Sequence, residues 1–248
     1  MQEVSSAILV VTLVFALGGL AKGIAGMGLP TVSMGFLGLL MAPAHAAALV
    51  VIPSLVTNIW QLLSGQHRLI LIRRIWPMLL MISLLTWVGA GLITDAGSGH
   101  ATIALGAALM TYAVLGLTGV RPSVPRQYEV WLSPVVGATT GVVTGATGVF
   151  AVPAAPYLQA LGFDKDDLVQ VLGLSFTTST LALAAGLASH GAFQISDAGT
   201  SMLCTLPALA GMRAGQMIRM RVDAATFRAI FLIGLLLLGA DLMVRSVI

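Results

Sequence analysis

The chain has 248 residues, of which 58% are hydrophobic and 8% charged, with 12 Lys and Arg against 9 Asp and Glu for a net charge of +3. A soluble domain carries roughly 25% charged residues to keep its surface wetted, so this composition excludes a soluble globule, and the surface must face lipid. The few, scattered bases give no reason to expect nucleic acid, and the single Cys204 excludes an internal disulfide, a multi-cysteine metal cluster or a thiol relay.

In chain order, the N-terminus carries Glu3 and no basic run, so no cleaved signal peptide is read. Gly23 to His67 is 45 residues without Asp, Glu, Lys or Arg, and Val130 to Phe163 is 34. A helix of 34 residues would reach about 51 Å against a hydrocarbon core of about 30 Å. Each stretch must therefore turn, and the turns are marked by Gly23, Gly26, Gly28 and Pro30 in the first and by Gly145, Gly148 and Pro153 in the second. The expected segments are a hairpin of 5–21 and 24–41, then 44–64, 73–93 and 100–119. They are followed by a hairpin of 131–147 and 150–161, then 167–188, 199–218 and 225–246. The fold expected is an all-α integral membrane protein.

These marks repeat. Gly19, Gly23 and Gly26 align with Gly141, Gly145 and Gly148 at an offset of 122, and Ser54 and Thr57 align with Ser175 and Thr178. The chain reads as two transmembrane repeats, 1–124 and 125–248, each a broken or re-entrant hairpin plus three helices. An odd number of crossings per repeat makes the halves inverted. With the N-terminus outside, Arg68, Arg73, Arg74, Arg121, Arg126, Lys165, Arg219 and Arg221 gather on the cytoplasmic side and only Arg245 stays outside. Inversion predicts that the hairpin tips, 26–30 and 148–153, approach each other near the midplane.

The segment from Gly18 to Pro30 (GGLAKGIAGMGLP), its weaker copy from Gly141 to Pro153, the Ala46-Ala47-Ala48-Leu49 run before Ser54, and Pro207 with Gly211 and Gly215 resemble the sulfite exporter TauE/SafE family over essentially the whole chain. The resemblance implies a transporter of sulfite, organosulfonates or related small sulfur-containing or organic anions in a cell membrane, by expectation a bacterial inner membrane. The chain departs from the family pattern at Phe150, where glycine is usual, and at Arg213.

The residues point the same way. A helix broken inside the bilayer leaves unpaired N–H groups whose dipoles favour an anion, and non-helical backbone is tolerated there only in protein or beside a cavity. Candidate substrate-binding residues are thus Lys22, Gly23, Gly26 and Gly28 at the first break and Thr144, Gly145 and Gly148 at the second. Ser54, Thr57, Asn58 and Gln61 join them on one helical face, with Ser175, Thr178 and Ser179 as repeat partners. Arg213 is the second cation inside a span. For each there is a plainer role: glycine faces packing helices together, hydroxyls bonding between helices, and Lys22 or Arg213 snorkelling to the headgroups. His67 and His190 end their helices near opposite faces, and Asp164-Lys165-Asp166-Asp167 reads as a solvated turn capping the next helix. No cofactor, metal or catalytic residue is expected. Without a nucleotide-binding loop, energy would come from an ion gradient, proton or sodium, or from the substrate's own. An intramembrane enzyme or a non-transporting membrane subunit are the competing readings.

Overall fold

The computed structural model describes residues 2–95, 98–119, 123–219 and 224–247. The described residues form ten helices and no strand: α1 Gln2–Ala25, α2 Leu29–Gly38, α3 Pro43–Leu63, α4 Arg68–Asp95, α5 Ser98–Leu117, α6 Arg126–Thr147, α7 Ala154–Ala160, α8 Lys165–Ser189, α9 Ile195–Ile218 and α10 Ala224–Val247. Six of them, α1, α3, α4, α5, α8 and α10, are long and apolar enough to cross a membrane. Their outward faces carry large apolar side chains such as Leu69, Trp76, Trp131, Leu203 and Leu237, as a lipid-facing surface requires.

Both long uncharged stretches break as expected. Gly26 and Gly28 have φ of 77° and 116°, a left-handed backbone open to glycine at little cost, and Pro30 opens α2 in its first turn. α6 stops at Gly148, φ 70°, whose N–H donates to the Thr144 carbonyl at 2.8 Å. α4 and α6 each begin five residues earlier than expected, and polar contacts that hydropathy does not register tie their opening turns together. Arg74 donates to both carboxylate oxygens of Glu129, at 2.9 and 2.7 Å, and to the Leu161 carbonyl at 2.9 Å. Asp164 takes the N-cap position of α8 as expected, although its side chain makes no capping bond.

The contacts orient the eight long helices in four pairs. Gly19 and Gly23 of α1 lie against Ala208, Met212 and Gly215 of α9, rising together, so α1 and α9 are parallel. Gly137, Gly141 and Gly145 of α6 meet Met78, Thr86 and Gly89 of α4 in the same parallel sense. In both seams an added Cβ would run into backbone of the facing helix, the close approach that small residues allow where no water drives helices together. By contrast α3 and α8 run antiparallel, with Asn58 beside Thr180 and Leu62 beside Gln170. α5 and α10 are antiparallel too, with Gly106 beside Gly239 and Gly116 beside Leu232. Exchanging the two halves maps the α1–α9 seam onto α6–α4 and maps the α3–α8 and α5–α10 pairs onto themselves.

One end of the bundle is basic. Arg74 meets Glu129 and Leu161, Val124 donates to Ala160, and His67 pairs with Asp167 at 2.9 Å. This brings the starts of α4, α6 and α8 together with the ends of α3 and α7, and Arg219 shares a cavity wall with Ala160. Arg68, Arg73, Arg74, Arg126, Lys165 and Arg219 therefore share that end, while Arg245, at the far end of α10, lies opposite. Arg121 and Arg221 fall outside the described residues.

The hairpin tips do not meet at the midplane. The Gly26 carbonyl accepts from Gln61, two residues before the end of α3, so the first tip lies toward the basic end. Gly148 packs on Met34, inside α2, and not on the first tip. The reason is length: α1 and α6 have 24 and 22 residues, about 36 and 33 Å at 1.5 Å per residue, so each is as long as the hydrocarbon core is thick before it breaks. Only the return arms α2 and α7, of 10 and 7 residues, are too short to span.

Candidate functional site

α3 and α8 cross at the centre of the bundle, and their facing sides are polar. Pro53 interrupts α3 and cannot donate to the Leu49 carbonyl one turn back. Ser201 of α9 donates to that carbonyl at 2.7 Å and accepts from the Ile52 N–H at 3.2 Å. This repair keeps the following turns of α3 helical, with Ser54, Asn58 and Gln61 on one buried face.

Lys22 reaches this face from α1, one turn before the break. It is 2% exposed, and its Nζ donates to the Asn58 side-chain carbonyl. Asn58 in turn donates through Nδ2 to Thr180 Oγ1 at 3.2 Å, and Thr180 donates to the Phe176 carbonyl at 2.6 Å. Asn58 and Thr180 are 122 residues apart, the offset of the glycine repeat. Among the described residues the ion pairs are His67 with Asp167, Arg74 with Glu129 and Arg245 with Asp241, so Lys22 has no carboxylate partner there. The α3 face also holds two buried polar atoms without a protein partner, the Ser54 hydroxyl and the Oε1 of Gln61. On α8 the hydroxyls of Ser175 and Ser179 are buried and unpartnered too, but they stand about 140° and about 100° round the helix from Thr180. A buried polar group is costly unless it is hydrogen-bonded. Lys22, without a carboxylate, and the unpartnered Ser54 hydroxyl on the same buried helix face as Asn58 leave donor capacity that a bound group can use.

The other expected residues fall into different places. Gln61 donates through Nε2 to the Gly26 carbonyl at 2.6 Å and so ties the first break to α3. Gly26 and Gly28 form that break. Gly23 lies in the α1–α9 seam and Gly145 in the α4–α6 seam. Thr57 is buried, but its hydroxyl bonds back to the Pro53 carbonyl at 2.8 Å. Thr144 is buried at the second break, its hydroxyl donating to the Val149 carbonyl at 3.3 Å, and Gly148 ends α6. Thr178 bonds back to the Leu174 carbonyl at 3.0 Å and lines a shallow outward groove with Ser83 and Trp87 of α4. Arg213 is exposed on the outer side of α9 and stands apart from Lys22.

Several residues of the site were not among the sequence candidates. Thr180 could have been found as the residue 122 beyond Asn58. Gln170, fully buried on α8, donates to the Leu62 carbonyl at 2.8 Å and accepts from the His67 N–H at 3.1 Å, which satisfies the end of α3. A cavity of about 420 Å³ also opens at the basic end below the first tip, with Met27, Tyr112, Gln159, Arg219 and Arg228 in its wall. Its lining comes from α1, α5, α7, α8 and α10, from the first tip and from the end of α9, and no local pattern could have grouped them.

Neither curated proteins nor solved structures show a match to this chain. The family described as sulfite exporter TauE/SafE matches residues 11–242, which takes in both breaks, the α3–α8 crossing and both glycine seams. With its spans and its lipid-facing surface, the chain is a multi-pass membrane protein that belongs to the sulfite exporter TauE/SafE family, a family of membrane transporters of sulfur-containing anions.

Proposed function

We propose that the chain is a secondary transporter that binds a small anion, sulfite, an organosulfonate or a related anion, at Lys22 and Asn58 within the α3–α8 crossing. The observation that carries this reading is Lys22, buried with a neutral partner, Asn58, on an α3 face whose Ser54 hydroxyl has no partner. An anion supplies the missing countercharge and accepts from Lys22, so it gains a charge-assisted hydrogen bond in a site of low dielectric. Arg213 and Thr178, which face outward, are not part of this site.

The two halves, 1–124 and 125–248, act as inverted repeats with both termini outside. The antiparallel packing of α3 on α8 and of α5 on α10 supports this, since a two-fold that pairs equivalent helices head to tail lies across the bundle and not along it. The gathering of the bases at one end supports the orientation. Such repeats place a site at their interface and allow alternating access by rocking one unit against the other. The test is uptake into proteoliposomes with a panel of radiolabelled anions. Saturable uptake of sulfite or a sulfonate, without uptake of a neutral analogue, is expected; uptake no faster than in protein-free vesicles for every anion tested refutes the assignment.

A further inference from the structure

The 420 Å³ cavity at the basic end has its own chemistry. Its inner wall is the first hairpin tip, where Ala25 and Met27 line it while Gly26 between them bonds to Gln61 of the α3 face. Arg219, at the end of α9, and Arg228, on α10, stand on its wall, and neither is in an ion pair among the described residues. Much of the remainder is apolar and includes the stacked rings of Phe227 and Phe231, 6.3 Å apart.

We infer that this cavity is a second binding site, a vestibule that takes an organic anion with an apolar body. A guanidinium recognises an oxyanion bidentately, and two exposed ones without an ion-pair partner among the described residues stand on this wall. The volume lies within the range of roughly 300–1,000 Å³ usual for small-molecule pockets, and a bare oxyanion of a few heavy atoms would leave the aromatic wall untouched. An anion with an attached ring or short chain engages both parts. The occupant comes from the aqueous side, because the cavity lies at the basic end and its inner wall is the tip that touches the Gln61 face. The inference adds a specificity step to the proposed transport and does not depend on Lys22.

Binding, not uptake, tests it, so a failure here and a failure of the Lys22 reading are told apart. The full chain is placed in phosphatidylcholine nanodiscs, and benzenesulfonate is titrated by calorimetry, with sulfite as the bare-anion comparison. Benzenesulfonate is expected to bind more tightly than sulfite, and Arg228→Gln to weaken it by about tenfold or more, the loss of a charge-assisted bond, with Arg228→Lys between the two. Phe231→Ala is expected to weaken benzenesulfonate and leave sulfite unchanged. No binding by the wild type, or unchanged binding in Arg228→Gln, overturns the site. Unchanged benzenesulfonate binding in Phe231→Ala overturns the apolar part of the recognition. Loss of benzenesulfonate binding when phosphatidylglycerol is added to the nanodisc assigns the cavity to a lipid headgroup and overturns the soluble occupant.

Discussion

Gly145→Ala probes the packing that holds the second hairpin in place. A Cβ on Gly145 would stand 2.5 Å from the Gly89 carbonyl carbon and 2.7 Å from both the Gly89 Cα and the Thr86 oxygen, where ordinary contact begins at 3.4 Å. All three obstacles are backbone, so no side chain can swing away. The α4–α6 seam must open by roughly 0.7–0.9 Å, and overpacking of this kind costs about 1–3 kcal/mol. Little offsets it, because helix association in lipid rests on close packing and not on expulsion of water. Thermal unfolding of purified protein in mild detergent reads the change, at about 2–4 °C per kcal/mol for a chain near this size. Gly234→Ala is the control: an added Cβ there meets nothing within 4 Å, and replacing glycine inside a helix gains up to about 1 kcal/mol. If Gly145→Ala is as stable as Gly234→Ala, the seam is not the close backbone contact described here.

Two other outcomes follow from the geometry. Glu129→Ala strips a partly buried Arg74 of its bidentate partner and is expected to lower stability by about 2–4 kcal/mol, read by the same unfolding assay, since an orphaned charge costs more than the pair contributes. Cysteines introduced at Arg126, Lys165 and Arg219 should label from one side of the membrane and a cysteine at Arg245 from the other. The native Cys204 is buried and adds little background. Labelling of Lys165 and Arg219 from opposite sides contradicts the inverted arrangement.

The breaks at Gly26, Gly28 and Gly148 were legible because a left-handed backbone leaves glycine as its mark. The order of the helices followed from uncharged length against bilayer thickness. Which face of each span looks inward was less legible, since lipid and protein interior are both apolar and hydrophobic periodicity marks no side. Arg213 therefore read as a cation inside the bundle, while α9 in fact turns Ala208, Met212 and Gly215 toward α1 and leaves Arg213 outside. Thr178 was paired with Thr57 by the repeat, yet α8 presents Ser175, Ser179 and Thr180 to the interior. The α3 face was readable because four polar residues at helical spacing in an apolar span are unusual. Its link to Lys22 was not, since a contact across 36 residues depends on how the hairpin packs.

The central claim is that Lys22 binds the transported anion, and initial uptake by Lys22→Gln in proteoliposomes, at matched protein per vesicle, tests it most directly. Glutamine keeps a donor for Asn58 and removes the charge, so the fold should survive, with an unfolding midpoint close to that of the wild type. If an anion in this low-dielectric crossing depends on that charge, the loss of a charge-assisted bond of about 1.5–3 kcal/mol lowers uptake by roughly 10- to 150-fold. Lys22→Arg should retain part of the activity. Normal uptake kinetics in the glutamine variant would remove Lys22 from the binding site and contradict the account.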